Sequence, residues 1–146
     1  MSALNQNVKI TTALDYASGS ADRNGATLDM AGYEGVLMVV KLAAIATGAV
    51  TSIKAQQGEA SDLTDAADLA GTAQAIADDD DDQVFVIDLY RPGERYVRLV
   101  VDKDGTNATA ESAVYIRYGA KEGPITNTEA DAVTLEEHLS PAEGAA

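Results

Sequence analysis

Gly35–Leu42 (GVLMVVKL) is the segment that most constrains the fold. Val36, Met38, Val40 and Leu42 fall on one side of an extended chain, and Leu37, Val39 and Lys41 on the other. Period-two alternation of this kind is the signature of a strand, and two mostly apolar sides predict burial on both, as in a sandwich. The pattern recurs. VFVIDLY sets Phe85, Ile87 and Leu89 against Val84, Val86, Asp88 and Tyr90, and Tyr96–Asp102, Ala113–Gly119 and Ala49–Gln57 read the same way. Val8–Leu14 alternates weakly, as a first strand or an extended arm, and Val133–Leu139 reads as a last strand. Asn24-Gly25, Gly48, Arg91-Pro92-Gly93-Glu94 and Asp104-Gly105 supply turn chemistry between these segments. Many short strands with this punctuation predict an all-β chain, a single compact barrel or jelly-roll-like sandwich. One short helix is expected at Ser61–Gly71 (SDLTDAADLAG), with Ser61 as cap, acids in the first turn and Gly71 as stop. The expected organisation is an N-terminal arm or first strand over residues 1–13, a β domain over 14–139 and a tail over 140–146.

Composition narrows the function. A chain of 146 residues is most simply one domain with one real core. Without Cys there are no disulfides or thiolate metal sites, which fits synthesis in a reducing cytoplasm. The opening MSALNQNVKITTALDY has neither a basic region nor an apolar run, so no secretory signal is expected. No window approaches the roughly 20 apolar residues of a membrane helix. Ten Lys plus Arg against 24 Asp plus Glu give a formal charge of -14, a poor match to phosphate, so neither nucleic acid nor membrane is an expected partner. Trp is absent and aromatics make up only 5%, which leaves little material for stacking sugars or bases.

No catalytic signature emerges, and the chain is expected to be non-enzymatic, with no cofactor and no metal. Asp78–Asp82 is a run of five acids, but it lacks the spaced ligands and glycine bend of a calcium loop and reads as a solvated loop that keeps the following strand from aggregating. In Asp102-Lys103-Asp104-Gly105 the glycine comes too early for the same template, and a hairpin connection explains it better. His138, the single histidine, sits among Glu136, Glu137 and Ser140 in a polar tail. Nucleophile-elbow and phosphate-binding glycine motifs are both missing.

The remaining anomaly is basic. Between Arg91 and Lys121 six basic residues outnumber four acids, a net +2 that leaves -16 on the rest of the chain. Read as a hairpin, this stretch places Tyr96, Arg98 and Val100 on one face and Tyr115 with Arg117 beside them, while Val97, Leu99, Val101, Val114 and Ile116 pack inward. Arg91, Arg95, Tyr96, Arg98, Tyr115 and Arg117 are thus the candidate interface, since Tyr and Arg concentrate binding energy at interfaces. The competing reading is that these arginines only neutralise nearby acids. Val8 and Ile10 are candidate contacts of the arm.

Taken in order, ALDYASGSADRNGATLDMAGYEGVLMVVKLAAIATGA, RPGERYVRLVVDKDGTNA, AVYIRYGAKEGP and SPAEGA resemble the small head decoration, or cement, proteins of tailed bacteriophages and prophages. The likeness runs from Leu14 to about Gly144. It implies a barrel or jelly-roll-like unit, sometimes with an extended arm, bound to the outside of a mature icosahedral head. It also implies the major capsid protein as partner, homotrimers at local threefold positions, and assembly in the cytoplasm of a bacterial host. Another virion component, such as a head-completion or tail protein, and a glycan-binding β-sandwich are the alternatives.

Overall fold

The alternating segments up to Gly119 become strands. A computed structural model describes residues 3–146, and among them ten strands form: β1 (Lys9–Gly19), β2 (Arg23–Asn24), β3 (Leu28–Asp29), β4 (Gly35–Ile45), β5 (Thr51–Gly58), β6 (Ala67–Asp68), β7 (Gln74–Ile76), β8 (Val84–Tyr90), β9 (Tyr96–Lys103) and β10 (Thr109–Tyr118). They build two antiparallel sheets. Sheet A has the order β1-β10-β4-β8. In sheet B, β9 pairs with β5, β2 and β3 lie along the outer edge of β9, and β6 and β7 along that of β5. The sheets stack as a sandwich, not a closed barrel, so each retains edges.

The core is the alternating half of each long strand. Val36, Met38, Val40 and Leu42 of β4 meet Val97, Leu99 and Val101 of β9 and Ile53 and Ala55 of β5, all fully buried. Each Val or Leu so enclosed stabilises the fold by roughly 1.5–3 kcal/mol relative to exposure. The expected two-sided burial of the Gly35 strand does not occur: Leu37 and Val39 are half-buried and Lys41 is exposed.

β9 and β10 are not a hairpin. Residues 104–108 arch from sheet B to sheet A, so the two strands face each other across the core, each flanked by other strands. The predicted inward set on β10 is also inverted: Tyr115 is fully buried, whereas Val114 is exposed and Ile116 half-buried. Pairing with β4 shifts by a residue between Thr109 and Glu111. Thr109, Glu111, Ala113 and Tyr115 are all buried, so β10 keeps one inward face through that shift.

Two polar ties join β10 to sheet B through the apolar core. The Tyr115 hydroxyl accepts from Leu99 N at 2.9 Å and donates to Ala26 O at 2.8 Å. Gly25 makes room for it, because a Cβ there would stand 2.6 Å from that oxygen. Burial pushes the phenol pKa well above its ordinary value. Four residues back along β10, Glu111 pairs with Lys103 of β9 at 2.7 Å, and neither side chain has exposed surface. Lys103 Nζ also donates to Gly19 O at 2.9 Å and Thr109 O at 3.1 Å, while Arg23 stands 3.4 Å from the other Glu111 oxygen.

Two further expectations are corrected. Ser61–Gly71 forms turns and the short β6, not a helix. Asp62 accepts from Thr64 N at 3.2 Å and Leu63 stands at φ 55°, a local turn that a right-handed helix does not contain. Val133–Leu139 forms no strand. Of the two readings of the N-terminal segment, arm or first strand, the strand forms: Val8 is buried, and Ile10 pairs with Ile116 inside sheet A. Met1 and Ser2 of that expected arm lie outside the described residues. The C-terminal segment straps β1 down through Asn127, whose Oδ1 accepts from Ile10 N at 2.7 Å, and through Lys9 and Asp131 at 2.5 Å.

Removing either tie lowers stability. Tyr115→Phe leaves Leu99 N–H and Ala26 C=O without this partner and costs about 1–3 kcal/mol. Glu111→Ala strands the buried Lys103 ammonium and costs about 3–5 kcal/mol. Urea unfolding followed by circular dichroism reads both, and Glu111→Ala is expected to be the more damaging.

Candidate interaction surface

With Tyr115 turned inward, its neighbours on β10 must turn outward, and the strand register lines them up. One row across sheet A reads Val86, Val39, Val114 and Thr12, and the next Asp88, Leu37, Ile116 and Ile10. Val84 and Tyr90 extend the surface at either end of β8. Exposure is 55% at Val84, 39% at Val86, 56% at Tyr90 and 37% at Val114. Ordinary strand spacing makes this patch roughly 300–400 Å², a size at which apolar patches on monomers commonly serve binding.

Its polar members are turned to one another. Tyr118 lies across Gly35, where a Cβ would meet the ring at 2.5 Å, and its hydroxyl donates to Asp88. Desolvation and the adjoining Asp88 carboxylate push the Tyr118 pKa up to about 12. At the other end Lys41 Nζ donates to Asp82 O.

The predicted Tyr/Arg set does not form one surface. Tyr96 and Arg98 lie on the outer face of sheet B, where Arg98 donates to Gln56 at 2.9 Å and Lys54 pairs with Asp68 at 3.0 Å. Arg95 and Arg91 sit at one end of the sandwich, around a cleft also lined by Tyr33, Glu34 and Lys121. Arg95 grips Asp29 through two bonds of 3.0 and 2.9 Å, which holds that carboxyl below its ordinary pKa. Arg91 lies over the Tyr90 ring at 5.3 Å and 3.9 Å from Glu34. Arg117 donates to Asp29 O at 2.8 Å and stacks on Tyr33 at 4.7 Å. Tyr115 is in the core, and no partner reaches it.

Asp78–Asp82 forms a structured turn at the opposite end. Asp78 accepts from Gly48 N at 2.8 Å, Asp80 from Ala77 N at 2.8 Å and Asp81 from Ile45 N at 3.0 Å. Among the described residues no cluster of His, Asp or Glu is arranged to hold a metal. His138 stands 3.0 Å from Glu136 in the exposed tail.

No family model and no curated protein sequence matches the chain. Among solved structures it is similar to one described as the PBSX exported protein XepA, with TM-score 0.54 and 15% identity. That likeness covers 99% of this chain and 46% of the other, so this chain spans just under half of that protein. What the two share is the fold. A chain from Bacillus endospore appendages, described as disulfide-linked pili, gives TM-score 0.47 and 12% identity over 83% of this chain and 97% of its own.

Alkaline difference absorbance tests the Tyr118–Asp88 contact. A tyrosine pKa raised in the folded state from about 10 contributes stability that is complete below about pH 10 and is lost as pH rises toward 12. Asp88→Asn removes one cause and leaves burial, so the Tyr118 midpoint is expected to fall while staying above the ordinary value.

Proposed function

We propose that this protein is a non-catalytic structural subunit of a phage-derived particle, a head decoration protein that docks on the outside of the mature capsid and stabilises it. One observation carries the reading: a four-stranded apolar face stands open on one side of a sandwich whose opposite face pairs its polar groups internally. The XepA-like fold and the sequence resemblance to cement proteins support it.

The physics suits such a role. A patch of roughly 300–400 Å² is small beside the roughly 800 Å² per partner of a standard stable interface. One copy therefore binds weakly, while many copies on a regular lattice, linked by further contacts, add avidity. The charge of -14 keeps unbound copies apart in solution. If the docking surface is completed only when the procapsid expands, binding selects the expanded state and stabilises it by mass action.

Mixing the purified protein with expanded and unexpanded heads of the phage that encodes it tests this. Preferential binding to expanded heads, with a gain in their heat resistance, is expected. Val86→Asp and Val114→Asp are expected to lose binding at least about tenfold, and Arg98→Glu on the opposite sheet to keep it. Equal binding to both heads, or no gain in heat resistance, overturns the reading.

A further inference from the structure

We infer that two copies of this chain pair edge to edge and antiparallel through β8, joining their A sheets into one continuous eight-stranded sheet. Among the described residues β8 is the last strand of sheet A and pairs only with β4. At the ends of that pairing Leu42 N donates to Gln83 O at 2.9 Å and Arg91 N to Glu34 O at 2.8 Å. In an antiparallel ladder this parity turns the backbone groups of the odd-numbered residues toward β4. Those of Val84, Val86, Asp88 and Tyr90 point to the open edge. Gln74 confirms the parity, since its Nε2 reaches Val86 O from that side at 2.9 Å.

The other edge of sheet A is treated differently. On β1, Asn127 receives Ile10 N and donates to Val8 O at 3.0 Å, so the C-terminal segment covers the start of that strand. β8 has no such strap. Within Val84–Tyr90 there is no proline and no bulge, the usual devices that blunt an edge strand, and its outward side chains include Val84, Val86 and Tyr90. Among the described residues the Gln74 amide is the side chain bonded to its outward backbone.

Charge selects the partner and the direction. Asp78–Asp82 immediately precedes β8, and Arg91, with a side chain 70% exposed, immediately follows it. Antiparallel pairing of two β8 strands sets each Arg91 beside the acidic run of the second copy. Parallel pairing would set acid against acid. A twofold axis at Ile87 opposes Val84 with Tyr90 and Val86 with Asp88, which keeps the outward backbone groups in bonded pairs. An axis at Asp88 would oppose the two carboxylates. The joined sheet also doubles the outer apolar face to roughly 600–800 Å², close to the area a standard interface needs from one partner. That last point rests on the docking role; the pairing itself does not.

Sedimentation equilibrium at about 0.15 M salt, where long-range repulsion between acidic copies is screened, reads the pairing. Amide hydrogen exchange as a function of protein concentration reads the edge. A monomer–dimer equilibrium is expected, with the amides of Val84, Val86, Asp88 and Tyr90 slowing as the dimer forms. Val86→Pro removes an outward N–H while sparing the bonds to β4, and is expected to weaken association about tenfold or more. Arg91→Asp is expected to weaken it too, and Asp82→Arg added to it to restore it. A monomer at every concentration, a trimer such as the resemblance implies, or a dimer in which the β8 amides gain no protection overturns the inference. The wild-type exchange decides the matter even if the proline variant folds poorly. Particle binding by a protein that stays monomeric would sink the pairing and leave the docking role standing.

Discussion

Tyr115 reaching across the core to Leu99 N and Ala26 O is the contact on which the arrangement of this sandwich turns. A phenol in an apolar interior must satisfy its hydroxyl, and here the partners are backbone groups of the opposite sheet. The side chain thereby fixes the distance between the sheets and the register of β10 within sheet A. Gly25 is a condition of the contact, since no Cβ fits beside that oxygen. The Lys103–Glu111 pair repeats the device further along the same two strands. A buried ion pair is weak evidence for net stability, but losing one partner is costly, so the pair acts against slippage of one sheet over the other.

The same contact shapes the outside of the molecule. Neighbours along a strand point to opposite faces, so an inward Tyr115 commits Val114 and Ile116 to the surface. β4 supplies Leu37 and Val39 in the same rows, and β8 supplies Val86. The apolar outer face of sheet A is thus the other half of the pattern that builds the core. Sheet B satisfies its outer polar groups internally, through Lys54, Gln56, Asp68 and Arg98. A sandwich with one apolar outer face and one self-paired face suits one-sided attachment, and the proposed docking and edge pairing would use adjoining parts of that apolar face.

The acidic surplus fits the same picture. Asp78, Asp80 and Asp81 accept backbone N–H groups and close the end of the sandwich, so part of the negative charge is structural. The arginines have local work as well: Arg95 holds Asp29, Arg98 holds Gln56, and Arg117 packs on Tyr33. Arg91 is the most loosely engaged of them, 3.9 Å from its nearest acid and at the open end of β8.

Local alternation located the long strands β1, β4, β5, β8, β9 and β10, but not the short β2, β3, β6 and β7, and it placed a strand at Val133–Leu139 where none forms. It identified Val36, Met38, Val40 and Leu42 as one buried row and sorted β8 and β9 into their correct faces, because a strand has only two faces and an apolar residue reports which one is dry. Residue chemistry also placed the acids and turns. Alternation has no sign, however, and β10, with Val114 and Ile116 on one side and Tyr115 on the other, reads equally well either way up. Which side faced inward was decided by a hydroxyl meeting Leu99 and Ala26, residues distant in the chain. Nor does a turn sequence say whether the strands it joins pair or stack, and residues 104–108 stack them. Tertiary packing therefore dispersed the basic stretch over an end, an outer face and the core, and assembled the apolar face from β4, β8 and β10.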